Sequence, residues 1–269
     1  MQVLHLDKST TALQVVDGNN FLINRMQATS NGLIIRETLT EITACVQTPI
    51  FVFDPLDGND RRRKLYPAYK VRRQQRAQQN DNRFIVYEAL DRFRALLGMV
   101  NCVMIRTPGW EADDVIATIA RSEAKSGRPV RVVTTDKDLS QLASERIEVT
   151  SAIEGMSPDD VRLFKTLAGD TSDNITGIPG FGPRSWAHVN KEAMRWMLED
   201  GQWNAQSDNR SLGLTPGQYR WCSENFDQLL VFWDIVDLYT VPADEIVSSM
   251  SVGTAQPQAL EQILRKHML

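Results

Sequence analysis

Nine carboxylates, Asp17, Asp54, Glu111, Asp113, Asp114, Asp136, Asp138, Asp170 and Asp173, are the residues of this chain whose type and spacing suggest chemistry. Most follow short apolar runs. Leu13-Gln14-Val15-Val16 stops at Asp17, and Ile50-Phe51-Val52-Phe53 stops at Asp54. Cys102-Val103-Met104-Ile105 leads through a Thr-Pro-Gly turn to Glu111, Asp113 and Asp114, while Val130-Arg131-Val132-Val133 leads to Asp136 and Asp138. Like charges gathered without partners repel, and some must then protonate. Magnesium or manganese resolves the conflict, because both prefer oxygen ligands. Two such ions roughly 4 Å apart can stabilise the attacking and the leaving oxygen of a phosphodiester displacement. An isolated Asp-x-Asp pair or acidic helix start is explained by capping and the helix dipole. Acids recurring on successive elements are a different pattern, and they point to a metal site.

The elements that must position these acids can be read from periodicity. The four-residue apolar runs read as buried strands, with helical patterns between them at about Leu33–Val46, Arg83–Leu97 and Ala112–Ala124. Alternating strands and helices imply a parallel sheet flanked by helices, and such sheets collect ligands beyond the carboxyl ends of their strands. On a helix starting near Glu111, positions 111 and 114 share a face while Val115, Ile116 and Ile119 turn to the core. Asp136 and Asp138 alternate as on a strand or loop. A further strand near Ile147–Thr150 precedes helices at Pro158–Ala168 and Ser185–Leu198, and the tail from Trp203 is less periodic, ending in a short helix near Gln258–His267. The pattern divides the chain into an α/β core at residues 1–155, including a basic excursion at about 58–82, and a helical region at 156–269 with a helix-hairpin-helix at about 162–198.

Charge is unevenly spread. The net value is −4, yet from Arg61 to Arg94 there are eleven Lys and Arg against Asp81, Glu88 and Asp91, a local +8 that leaves −12 for the remainder. A basic segment beside acidic clusters suits an enzyme that holds phosphates and divalent metal together. In RRRKLYPAYKVRRQQR, Tyr66 and Tyr69 lie among the cations; a helix there would align Lys70 with Arg73 and Arg72 with Arg76. Cations hold phosphates and tyrosine rings can stack on bases, although a basic run on its own is more often a solvated loop. This excursion is expected to be mobile. Gly177, Gly180 and Gly182, with Arg184 just beyond, form a turn between helices that either serves only as a tight connection or lets backbone approach phosphate.

Composition narrows the setting. With 269 residues, 42% of them hydrophobic, the chain can bury a sizeable core. Cys45, Cys102 and Cys222 are an odd number without paired spacing, which argues against a disulfide framework or a four-ligand zinc site and for a reducing cytoplasm. MQVLHLDKST lacks signal-peptide features, and no apolar run is long enough to span a membrane.

Taken in order, VVDGNN, FVFD, LYPAYKVRR, GWEADDVIA, TTDKDLSQL and LAGDTSDNITGIPGFG resemble the flap endonuclease and 5′-3′ exonuclease family, especially its phage-encoded and bacterial members, over about Leu13 to Leu198. That resemblance implies a PIN-like α/β core, an arch or clamp over the active site, and a helical DNA-binding region that also binds potassium. It implies that the nine acids bind two or more magnesium ions and that Lys70 and Arg73, beside Tyr69, contact the scissile phosphate in catalysis; with Tyr69, the basic stripe of Arg72 and Arg76 and the turn of Gly177, Gly180, Gly182 and Arg184 are expected to contact DNA. The expected enzyme is a monomeric, stand-alone nuclease of the cytoplasm, without a polymerase domain, acting on DNA with 5′ ends, flaps or junctions and on RNA paired to DNA. The alternatives are a PIN-type ribonuclease and a structure-specific DNA-binding protein without turnover. The sequence departs from the family in about ten extra residues before the first strand, a short stretch between Leu142 and Pro158, Thr176 in place of proline, and Trp186 in place of alanine.

Overall fold

The computed structural model describes residues 3–28, 31–73, 75, 83–151, 153 and 155–266. It contains two compact units. The first comprises Met1–Gly58, Asn80–Ile153 and Leu238–Leu269, and the second Asn59–Gln79 and Glu154–Asp237.

The first unit is built on a six-stranded sheet of order β5-β4-β1-β2-β3-β6. Its strands are β1 (Leu13–Asp17), β2 (Ile50–Val52), β3 (Val103–Ile105), β4 (Val130–Val133), β5 (Ile147–Val149) and β6 (Met250–Val252). The first five are parallel, as the alternation of elements requires, with Val16 opposite both Phe51 and Val133. Successive side chains leave a strand on opposite faces, and the two cores follow from that rule. Val16 and Phe51 join Phe21, Phe53 and Phe93 beneath helices Gly18–Ala28, Asn31–Ala44 and Arg83–Leu97. Val15 and Val52 join Ile116 and Val132 beneath helix Ala112–Lys125. The Phe53 ring packs where a side chain on Gly18 would stand, 2.4 Å from a Cβ built there, so the residue after Asp17 must be small.

The tail departs from the sequence-based division. Residues 238–269 belong to the first unit rather than to the helical region, because β6 pairs antiparallel with β3. Gly253 N–H donates to Cys102 O (2.9 Å), and Trp110 Nε1 donates to Glu245 Oε2 (2.7 Å). The uncharged Met250–Val252 is too short to show a strand period, so its place comes from pairing that the pattern does not reveal. The ten residues before β1, unassigned by sequence, also pack here. Leu4 and Leu6 enter the core, Leu4 N–H donates to Asn24 Oδ1 (3.0 Å), and Arg25 donates through Nε to Leu4 O (3.0 Å) and through Nη2 to Glu41 Oε1 (2.5 Å).

The second unit is helical, with Pro158–Ala168, Pro183–His188, Lys191–Asp200, Pro216–Glu224 and Phe226–Val236 around Leu163, Leu167, Ile178 and Phe232. The stretch expected as one helix at Ser185–Leu198 is broken at Val189-Asn190, where the Asn190 side chain caps the second helix by accepting from Ala193 N–H (3.1 Å). The basic segment belongs to this unit and not to the α/β core. Buried Arg62 donates to Ile235 O (2.8 Å) and Asp237 O (2.7 Å) and satisfies carbonyls at the end of helix Phe226–Val236. Trp186 packs edge-on against Phe164, with ring centroids 5.1 Å apart. No helix among the described residues is long and apolar enough to cross a membrane.

Arg25→Met should destabilise the protein by about 3–5 kcal/mol, because it strands buried Glu41 without its cation, and Arg25→Met/Glu41→Leu should recover much of that loss. Urea unfolding of the two variants checks this; equal stability of wild type and Arg25→Met would show that the pair contributes nothing.

Candidate active site

In the first unit the sheet brings acids from separate elements to one edge. Asp17 ends β1 almost completely buried, with Oδ1 accepting from Asn20 N–H (3.0 Å) and Oδ2 from the Thr134 hydroxyl (3.2 Å). Burial, then the charge of Asp54 and, more weakly, that of Asp136, push its carboxyl up to about 7 against the smaller opposing effects of Asn20 and Thr134. Asp54, just beyond β2, accepts from Ala112 N–H through Oδ1 (2.8 Å) and from Asn19 Nδ2 through Oδ2 (3.2 Å). It therefore sits at the positive end of helix Ala112–Lys125, beside Glu111 at the N-cap and Asp113 in the first turn. Asp136 follows β4, and its Oδ1 accepts from Asp138 N–H (2.9 Å), which sets Asp138 at the start of a 3-10 turn.

Asp114 is placed differently. It is buried, and its Oδ1 accepts from Tyr239 N–H (2.9 Å), fastening the C-terminal segment to the helix. Sequence spacing puts positions 111 and 114 on one face, but that does not reveal what covers the face.

In the second unit, Asp170 and Asp173 lie in a loop closed by a backbone bridge between Asp170 and Ile175. Gly169 (φ 82) and Gly177 (φ 61) make that closure possible, since a Cβ on Gly177 would stand 2.4 Å from Gly169 N. Burial alone would raise the Asp170 carboxyl, but the Lys165 ammonium at 2.7 Å and the Ser172 hydroxyl and N–H outweigh it and hold it at about 2. Asp173 is buried, and its Oδ2 accepts from Tyr69 Oη (3.4 Å).

The basic segment departs from two expectations. The helical stretch begins at Val71, and Lys70 lies in the turn before it at φ 55, so no helical stripe includes Lys70. Tyr69 is 2% exposed and packs in the helical core, which removes its ring from base stacking in this conformation. Arg72, Arg73 and Arg184 are exposed; Arg76 lies outside the described residues. The hairpin glycines also separate. Gly177 is needed for internal packing, whereas a Cβ on Gly180 (φ 71) or Gly182 would meet nothing within 4 Å.

Asn19, Asn20 and Thr134, which hold oxygens of Asp17 and Asp54, were not singled out by sequence reasoning. Asn19 and Thr134 act through their side chains, whose types stand in VVDGNN and VVTTD, whereas Asn20 holds Asp17 through its backbone N–H, which residue type does not mark. The carboxylate oxygens of Asp17, Asp54 and Asp136, the first two groups oriented by neutral N–H and hydroxyl donors, form a donor set for hard divalent cations, and the carboxylates' mutual repulsion fits such an ion.

Comparison with known proteins agrees with this architecture. The family model described as 5'-3' exonuclease, N-terminal resolvase-like domain, matches residues 13–165. DNA polymerase I of Rhizobium leguminosarum is 31% identical over 173 residues, 59% of this chain and 16% of that protein. Thermostable DNA polymerase I of Thermus aquaticus is 31% identical over 159 residues, 55% of this chain and 18% of that protein. The chain thus spans less than a fifth of the length of either polymerase. A flap endonuclease of bacteriophage T5, in a pseudo-enzyme–product complex with DNA and metal ions, has the same fold. It superposes with a TM-score of 0.68 at 18% identity, covering 95% of this chain and 97% of that one. Matched over more than half its length by the family model, the chain belongs to the 5′-3′ exonuclease family through the N-terminal resolvase-like domain.

Proposed function

We propose that the chain is a structure-specific 5′ nuclease, hydrolysing phosphodiester bonds of DNA near 5′ ends, flaps and junctions with magnesium or manganese held by its carboxylates. The observation that carries this reading is the Asp17 carboxyl, buried at the end of β1 with the like charges of Asp54 and Asp136 beside it. Asp17, Asp54, Glu111, Asp113, Asp136 and Asp138 are read as metal ligands of the first unit. Asp170 and Asp173 are read as further donors in the second, and Asp114 as a donor with one oxygen committed to Tyr239. When bound, divalent ions stabilise charge on phosphate and lower the pKa of water. The protein's own contribution is to orient Asp17 and Asp54 through Asn19, Asn20 and Thr134, to hold the scissile phosphate with Lys70 and Arg73, and to grip duplex backbone with Arg72, Arg184, Gly180 and Gly182. Monomeric action in the cytoplasm, cleavage of RNA paired to DNA, and a potassium ion at the hairpin belong to the same reading. The bacteriophage T5 flap endonuclease, complexed with DNA and metal ions, supports the choice of substrate and cofactor class.

Matched 5′-flap, nicked, blunt, single-stranded and RNA-primed substrates, labelled at either end, test the reaction. Cleavage should require magnesium or manganese, favour junctions, and cease in excess chelator; calcium should support binding with little cutting. Undiminished cleavage in chelator would end the metal reading, and binding without turnover under every metal would favour a DNA-binding protein.

Stability provides a second check. In the metal-free fold Asp17 retains its proton up to about 7, whereas the unfolded chain releases it near 3.8. The folded state therefore binds the extra proton, and this group's contribution is complete below 3.8 and is lost as pH rises through about 7. The Tm of the metal-free wild type should fall more steeply from pH 5 to 8 than that of Asp17→Asn. Manganese at pH 8 should raise the wild-type Tm more than the variant's, which loses the ions held through Asp17. Parallel pH profiles for the two proteins would show that Asp17 is not the strained group.

Gly182→Val should lower the ratio of junction to single-strand cleavage for all sequences alike, because it places a side chain in open space where backbone is proposed to approach phosphate. An unchanged ratio in a variant with the wild-type circular dichroism spectrum would reduce the hairpin to a connection.

A further inference from the structure

Within the second unit, the turn before Val71 is fastened to the acidic loop by contacts that the roles given above leave unexplained. Tyr66 Oη donates to Asn174 O (3.2 Å), Lys70 N–H donates to Asp173 O (3.1 Å), and Tyr69 Oη donates to Asp173 Oδ2 (3.4 Å). Lys70 Nζ stands 4.8 Å from the centre of the Tyr69 ring. Both sides of this junction carry unusual backbone. Lys70 (φ 55) and Asn174 (φ 65) are the non-glycine residues with positive φ among those described. Asparagine adopts that conformation readily through its short polar side chain, but lysine has no such compensation and must be held by its surroundings.

Tyr69 supplies the hold. Its ring is buried with Leu163, Leu167 and Phe232 in the helical core, a position phenylalanine would fill equally well. A buried tyrosine hydroxyl needs a polar partner, and the Asp173 carboxylate lies within its reach.

We propose that Tyr69 is a positioning residue for Asp173: its hydroxyl orients the carboxylate, and its buried ring sets Lys70 against the same loop. The basic turn and the acidic loop are then one device, in which the residue that meets phosphate and a residue that meets metal share an anchor. The proposal rests on the reading of Asp173 as a metal ligand. It excludes Tyr69 as a stacking platform for bases, which would need an exposed ring.

The test is manganese binding to the full-length protein, followed by electron paramagnetic resonance, beside single-turnover cleavage at saturating DNA. Tyr69→Phe keeps the ring and should weaken the manganese ions lost in Asp173→Asn by about tenfold, the usual cost of removing a ligand's outer hydrogen-bond partner. Those lost in Asp17→Asn should be untouched. The cleavage rate should fall by a similar factor, with the DNA dissociation constant in calcium unchanged. In an Asp173→Asn background, Tyr69→Phe should have no further effect on manganese binding, because the two changes remove one interaction. Wild-type manganese affinity in Tyr69→Phe, or additive losses in the double variant, would overturn the proposal while leaving the nuclease reading intact. So would a Tyr69→Leu variant with normal manganese binding whose only defect is DNA affinity, since that is the behaviour of a stacking ring. If Asp17→Asn and Asp173→Asn both bind manganese as wild type does, the metal reading and this proposal fall together.

Discussion

Bringing carboxylates together at the edge of a parallel sheet is the constraint on which the rest of the first unit turns. Asp17 is buried, and the strongest nearby charges acting on it are of its own sign, from Asp54 and Asp136. Such an arrangement opposes folding unless something rigid enforces it. What enforces it here is position rather than pairing. Asp17 is the last residue of a strand buried along its whole length, and Asp54 follows Phe51 and Phe53, whose rings interlock with Phe21 and Phe93 at centroid distances of 5.9 to 6.4 Å. The sheet cannot release one acid without disturbing a core. Neutral donors, an N–H from Asn20 and a hydroxyl from Thr134, orient the oxygens without neutralising them, so the charge stays available to a cation.

The second unit treats its acids in another way. Asp170 is already paired with Lys165, and its carboxyl is held at about 2. Asp173 is fixed through backbone and the Tyr69 hydroxyl. One unit stores repulsion while the other neutralises it locally, and a metal ion has most to offer where repulsion is stored.

How much of this is legible in sequence depends on whether local pattern or distant pairing decides each element. The five parallel strands and helices Arg83–Leu97, Ala112–Lys125 and Pro158–Ala168 are legible nearly to the residue, because apolar runs such as Val130–Val133 end in polar residues that the buried strand cannot extend through. Acids at strand ends are legible for the same reason. Strand β6 is not, since Met250–Val252 is exposed at every position and is a strand only because β3 offers it hydrogen bonds. The role of the first ten residues is hidden in the same way: Leu4 and Leu6 are isolated leucines until Asn24, Arg25 and Glu41 give their backbone partners.

Residue type alone also fails to sort the cations, the tyrosines and the glycines. Arg62 lies in a run of three arginines, yet it is buried against the carbonyls of Ile235 and Asp237. Arg72 and Arg73, from the same basic segment, are exposed. Tyr69 reads as a surface aromatic because it stands among cations, but it is buried as part of the helical core. Gly177 and Gly182 share one motif, and a Cβ would collide with backbone at the first and meet open space at the second. In each case the deciding quantity is which side of the backbone faces a partner, and in an irregular segment no period announces it. Regular elements expose their buried face through repetition, whereas turns such as Tyr66–Lys70 and Gly169–Gly177 do so only through individual contacts. Of the residues proposed to touch substrate, Lys70 lies in the first of these turns and Gly180 and Gly182 in the irregular connection before helix Pro183–His188, so their roles follow from contacts that the sequence pattern does not record.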